Sequence, residues 1–139
     1  MSFNVQEKFE NTDIDFNGEF IAVRHREGFE ITPQGTEEFW RFLSRLCTKY
    51  ACDRVLAEGQ KPERRLDLVE AFQSGVQVAE RIPDLWLAIF FENYRTDELS
   101  ELFERTARNR GVHVRFFSSR PQAVKWLTSN PATCDSDME

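Results

Sequence analysis

Few residues in this sequence are of a type and spacing that could do chemistry. Glu58 and Glu92 each follow an apolar stretch, and two carboxylates brought together can serve acid–base work or hold a hard cation. Lys61, Arg64 and Arg65 crowd one polar loop just ahead of a helical pattern, where cations and a helix amino end together attract an anion. Asn93, Ser118 and Ser119 also follow apolar runs and offer hydrogen bonds. Cys47, Cys52 and Cys134 are odd in number and lack the CxxC spacing of a metal site. Cys47 and Cys52 read as core or half-buried thiols, since no partner base lies near them in sequence. His25 reads as a solvated or cross-strand-paired histidine and His113 as one on the wetter face of a strand. No nucleophile–base pair and no third ligand for the two glutamates is recognisable, so the expectation is a protein without catalytic activity, metal or cofactor.

Those residues must be positioned by a frame, and its strongest signal is Leu85-Trp86-Leu87-Ala88-Ile89-Phe90-Phe91, seven apolar residues without a polar break. A strand with one wet face alternates, whereas one covered on both faces is continuously apolar. The run is therefore expected to be the central strand of a mostly parallel sheet with helices on both sides. Phe90 and Phe91 then point to opposite faces.

The remaining elements follow in order. Phe3, Val5 and Phe9 give a weak first strand within residues 1–11, interrupted by Glu7. Asn17-Gly18 is a turn signal joining strands at about 12–16 and 19–26. Thr32-Pro33-Gln34-Gly35 breaks the chain, and Thr36 is the expected N-cap of a helix over 36–51. Its stripe is Phe39, Phe42, Leu43, Leu46, Cys47 and Tyr50, with Trp40 widening it. A strand at 53–59 leads through the Gln60–Arg65 loop to a helix over 66–82. There Leu66, Val69, Phe72, Val76, Ala79 and Ile82 are the expected buried stripe, and Gly75 allows close approach to a neighbour. Thr96 is the expected cap of a third helix with Leu99, Leu102, Phe103, Thr106 and Ala107 inward, ended by Gly111. Val112–Phe117 is a strand near an edge, and Ser119 with Gln122 opens a last helix carrying Ala123, Val124, Trp126 and Leu127.

The fold class is α/β: one domain over residues 1–128, with a mixed, mostly parallel sheet of about five strands and four helices, then a disordered acidic tail over 129–139. A chain of 139 residues buries roughly two-thirds of its unfolded surface, enough for one core. With 40% hydrophobic residues and 13 Phe, disorder is excluded for most of it. The net charge of -6 argues against nucleic acid as a partner. The amino terminus lacks the pattern of a signal peptide, and seven apolar residues are too few for an integral membrane segment. A reduced, cytoplasmic setting is the simplest reading of the cysteines.

From about Gly18 to Leu127 the sequence resembles the SpoIIAA-like branch of the STAS superfamily, bacterial proteins some of which are related to Sec14-type lipid carriers. The resemblance rests on Phe20-Ile21-Ala22-Val23 ahead of the first helix, on Arg54–Gly59 feeding a polar loop, and on the Leu85–Phe91 run. It rests most on Val114-Arg115-Phe116-Phe117 followed by Ala123-Val124-Lys125-Trp126-Leu127. It implies a domain that acts by binding a protein partner or a small ligand, not by catalysis. Anti-sigma-factor antagonists of this type carry a regulatory serine where this chain has Lys61-Pro62-Glu63-Arg64-Arg65-Leu66-Asp67, which holds no Ser or Thr, and Ser74 comes too late to substitute. The phosphoswitch is therefore not expected.

Ligands of open α/β sheets sit beyond the carboxyl ends of the strands. That rule gathers Glu58, Lys61, Arg64, Arg65, Glu92, Asn93, Ser118 and Ser119 as one binding rim for an acidic protein surface or an anionic ligand. Three readings follow: a protein-interaction or regulatory module, a binder or carrier of a small apolar or lipid-like ligand lined by some of the Phe residues, and a small hydrolase using Glu58 and Glu92. A homodimer formed through a strand edge or helix face is compatible with all three.

Overall fold

Asn17 closes the first tight turn, its Oδ1 accepting the amides of Glu19 at 2.8 Å and Phe20 at 3.0 Å while Gly18 takes φ +94°. The computed structural model describes residues 5–9, 12–26, 30–60, 62, 65–92 and 94–129. Around that turn β2 (Thr12–Phe16) and β3 (Ile21–His25) pair antiparallel, and β1 (Val5–Phe9) adds an antiparallel edge to β2. Alternating with helices come α1 (Pro33–Tyr50), β4 (Arg54–Gln60), α2 (Leu68–Arg81), β5 (Trp86–Glu92), α3 (Glu98–Arg108), β6 (His113–Phe116) and α4 (Arg120–Ser129).

The six strands form one mixed sheet in the order β1 to β6, and the β3–β4, β4–β5 and β5–β6 ladders are parallel. The weakly patterned amino-terminal segment is thus a sixth, edge strand, although its side chains lie outside the described residues. The apolar run at 85–91 is an interior strand one place from the β6 edge, not the central one. The middle positions belong to β3 and β4.

Each parallel crossover steps the same way across the sheet, and right-handed connections then deliver α1, α2 and α3 to one face. That face holds the larger core, with Leu43, Leu46, Val78 and Ala107 against Val55, Leu87, Ile89 and Val114. Among the described residues the opposite face carries α4 alone of the helices, and its Ala123 and Leu127 cover Phe20, Leu56 and Ala88. Leu87, Ala88 and Ile89 alternate between the two cores, which explains the unbroken run. Burying each large side chain contributes about 1.5–3 kcal/mol.

Three helix readings need correction. Helix α1 begins one turn before Thr36: Thr32 is the cap, accepting Gly35 N–H at 3.1 Å, and Pro33 opens the helix. Proline at that position loses no hydrogen bond and brings a helical φ. Helix α3 is capped by Asp97 instead of Thr96, because the carboxylate accepts the amides of both Leu99 and Ser100.

Helix α2 starts at Leu68 behind a reciprocal capping box of Asp67 and Glu70, and its buried residues are Ala71, Ser74, Gly75, Val78 and Ala79. Val69 and Phe72, expected inside, are 65% and 43% exposed. The small side chains face inward because α2 lies close against α3: a Cβ on Gly75 would sit 3.2 Å from the Phe103 carbonyl oxygen. Large residues do not fit that seam. The acidic segment from residue 130 onward, with Cys134, lies outside the described residues.

Candidate functional site

At the carboxyl ends of β3 to β6 the helices α1, α2 and α3 start, and the described residues leave a space between the first turns of these helices and the sheet. It is a cavity of about 210 Å³. Ala57, Leu87 and Ile89 floor it from the sheet. Its wall is aromatic: Phe39 and Trp40 from α1, Phe91 and Tyr94 from the end of β5 and beyond, Phe103 from α3 and Phe116 from β6. Trp40 and Phe103 stack 6.0 Å apart with planes 4° from parallel, and Phe91 meets Tyr94 edge-on at 5.8 Å. Such rings cohere by burial and by quadrupole geometry, so the wall is preformed.

Several polar side chains of the cavity are bonded to one another. His25 is 8% exposed, lies across the hairpin from Thr12, and places Nδ1 3.3 Å from the Thr12 hydroxyl. Burial pushes its pKa down to about 4, so the ring is neutral at neutral pH. Trp40 donates its indole N–H to Ser74 Oγ at 2.9 Å.

At the mouth Arg65 donates to the Tyr94 hydroxyl at 2.9 Å, lies 5.5 Å from the centre of that ring, and pairs with Asp97 at 2.7 Å. Tyr94 in turn shares a short hydrogen bond with Ser100, a residue of the first turn of α3. Burial pushes the Asp97 carboxyl up, but hydrogen bonds from Arg65 and Ser100 outweigh it and hold the group below the usual aspartate value.

Of the residues singled out in the sequence, Arg65 lines this cavity. Glu58 does not, because β4 sends Val55 and Ala57 toward the helices and Leu56 toward α4, and Glu58 follows Leu56 to the far face. There its side chain is 6% exposed and accepts from Arg120 at 2.8 Å and Arg24 at 3.4 Å. Glu92 is exposed, stands opposite Gln60 in the ladder and accepts from its amide at 3.0 Å. Ser119 caps α4, accepting Gln122 N–H at 3.3 Å, and Ser118 is exposed. Lys61, Arg64 and Asn93 lie outside the described residues. The single rim expected from the sequence is thus divided by the sheet: Arg65 belongs to one side, Glu58 to the other.

His25, Trp40, Ser74 and Tyr94 were not singled out as site residues. Aromatics at three- and four-residue spacing read as core, and nothing in the spacing distinguishes a side chain that fills a core from one that lines a hole. The Thr12–His25 pair realises the cross-strand reading of that histidine. His113, on the wetter face as expected, stacks on Trp86 at 4.1 Å.

Cys47 and Cys52 are both half-buried, and burial, with Cys52 and Asp53 nearby, pushes the Cys47 thiol up to about 12. Among the described residues no cluster of three or more His, Cys, Asp or Glu is placed to hold a metal ion. None of their helices is long and apolar enough to cross a membrane. No family model matches this chain, and no curated protein matches it.

Proposed function

We propose that the protein is a non-catalytic binding module that holds a small apolar molecule in the cavity at the carboxyl end of its parallel strands. The observation that carries this reading is an aromatic-walled space of about 210 Å³ at the position where α/β sheets bind ligands. The opening presents apolar and aromatic side chains to water, and a small apolar molecule seated there would bury them. The order of elements, a hairpin followed by helices alternating with parallel strands, supports a SpoIIAA-like architecture of the bacterial type, and an odd cysteine count without metal-site spacing supports a reducing, cytoplasmic setting.

The test is organic extraction of natively purified protein followed by mass spectrometry, beside the cavity-filling variant Ala57→Leu on the sheet floor. A near-stoichiometric apolar compound in the parent protein and its loss in the folded variant are expected. Equal recovery from both would overturn the proposal.

A second reading, a regulatory module that docks another protein, is favoured by Leu68, Val69 and Phe72, which stand 45%, 65% and 43% exposed on the first turns of α2. Neighbouring apolar side chains left in water mark many interaction surfaces. Val69→Glu with Phe72→Glu should abolish capture of a protein partner while leaving the cavity occupant in place. The same variant run by light scattering separates that partner from a homodimer. An acid–base role for Glu58 and Glu92 has less support, since the first is held by two arginines and the second by Gln60.

A further inference from the structure

Charge bookkeeping around the cavity narrows what it can hold, an inference that rests on the small-ligand reading above. Among the described residues lining the space, Arg65 is the sole cation, and Glu30, exposed at the edge, is the sole carboxylate. Asp97 lies against the Arg65 guanidinium, so among the described residues the cation at the mouth is paired. Inside, the Thr12 hydroxyl meets His25 and the Ser74 hydroxyl meets Trp40. Burial also keeps the His25 ring uncharged.

We infer that the occupant is an uncharged, ring-containing molecule of roughly six to ten non-hydrogen atoms, scaled from an apolar cavity of about 150 Å³ that accepts benzene. A carboxylate would give up its hydration to meet a guanidinium already paired with Asp97, whose own charge repels it. An ammonium would meet Arg65 itself. The ring faces it would need for cation–π attraction are partly taken, as Trp40 and Phe103 stack on each other. A flat, neutral ring with one hydroxyl or carbonyl has no such penalty and matches the wall by shape and dispersion.

The probes are benzyl alcohol, benzoate and benzylammonium, nearly equal in size and different in charge, titrated into ligand-stripped protein and followed by chemical shifts of His25, Phe39 and Trp40. Benzyl alcohol is expected to bind at least about tenfold more tightly than either ion, the penalty for desolvating an uncompensated charge. Asp97→Asn retains a good helix cap and unmasks Arg65, so the affinity for benzoate relative to benzyl alcohol should rise about fivefold.

Benzoate or benzylammonium binding as tightly as the alcohol in the parent protein would overturn this inference and leave the cavity reading standing. So would an Asp97→Asn variant with unchanged preference. If none of the three shifts the His25, Phe39 and Trp40 signals, the cavity reading falls along with it.

Discussion

Gly75 of α2 and Thr106 of α3 face each other so closely that a Cβ on Gly75 would lie 2.8 Å from both Cβ and Cγ2 of the threonine. Substituting Gly75→Ala improves helix propensity by about 1 kcal/mol, but overpacking of this kind typically costs about 1–3 kcal/mol. The Phe103 carbonyl, 3.2 Å from the same point, is backbone and cannot step aside cheaply. The variant should be less stable by about 1 kcal/mol in urea denaturation. A gain in stability would mean that the two helices are not so closely seated.

Ala51 ends α1 at φ 50°, ψ 47°, a left-handed conformation that costs a residue with a Cβ about 1–2 kcal/mol. Glycine removes that strain at the expense of a more flexible unfolded chain, which takes back about 0.5–1 kcal/mol. Ala51→Gly should therefore raise the melting temperature by about 3 °C. A lower value would refute the left-handed cap.

The burial of His25 makes a prediction about pH. Its folded pKa of about 4 lies below the unfolded value of 6.5. As pH falls through 6.5 the unfolded chain takes up a proton that the folded chain refuses until near 4, so stability is present above 6.5 and declines across that window. From about pH 7 to about pH 5 the loss attributable to this group is about 2 kcal/mol. His25→Gln should flatten that slope in denaturant titrations at the two pH values. An unchanged slope would place the imidazole in water.

Glu58 ties the last helix to the sheet through Arg120 and reaches across to Arg24 on β3. Both arginines are largely exposed, so the effect of Glu58→Gln on stability is only about 1 kcal/mol. Amide exchange should speed up selectively at the start of α4, and probe affinity for the cavity should not move. A large change in ligand binding with no change in α4 would contradict this placement.

What the chain reveals without coordinates depends on whether local pattern and tertiary position agree. Asn17-Gly18 dictates a hairpin by turn chemistry alone, and the run over β5 is apolar because both of its faces are covered; both were legible. Helix α2 was misphased because hydrophobicity weights large side chains, while a close helix seam selects Ala71, Ser74 and Gly75. Pro33 looked like a break because proline marks both the ends and the first turns of helices. For the site, Arg65 was legible as a cation beside a helix start. Its separation from Glu58 followed from strand alternation, since Ala57 and Glu58 are adjacent and point opposite ways. The cavity itself leaves no mark in the sequence.

The strands lie side by side in the order in which they are joined. Such an arrangement can be assembled from one end, each new helix and strand docking on a border that is already complete, with no segment waiting for a distant one to be made. A nascent chain would therefore expose one growing ribbon at a time, and the β6 border would be the last to form.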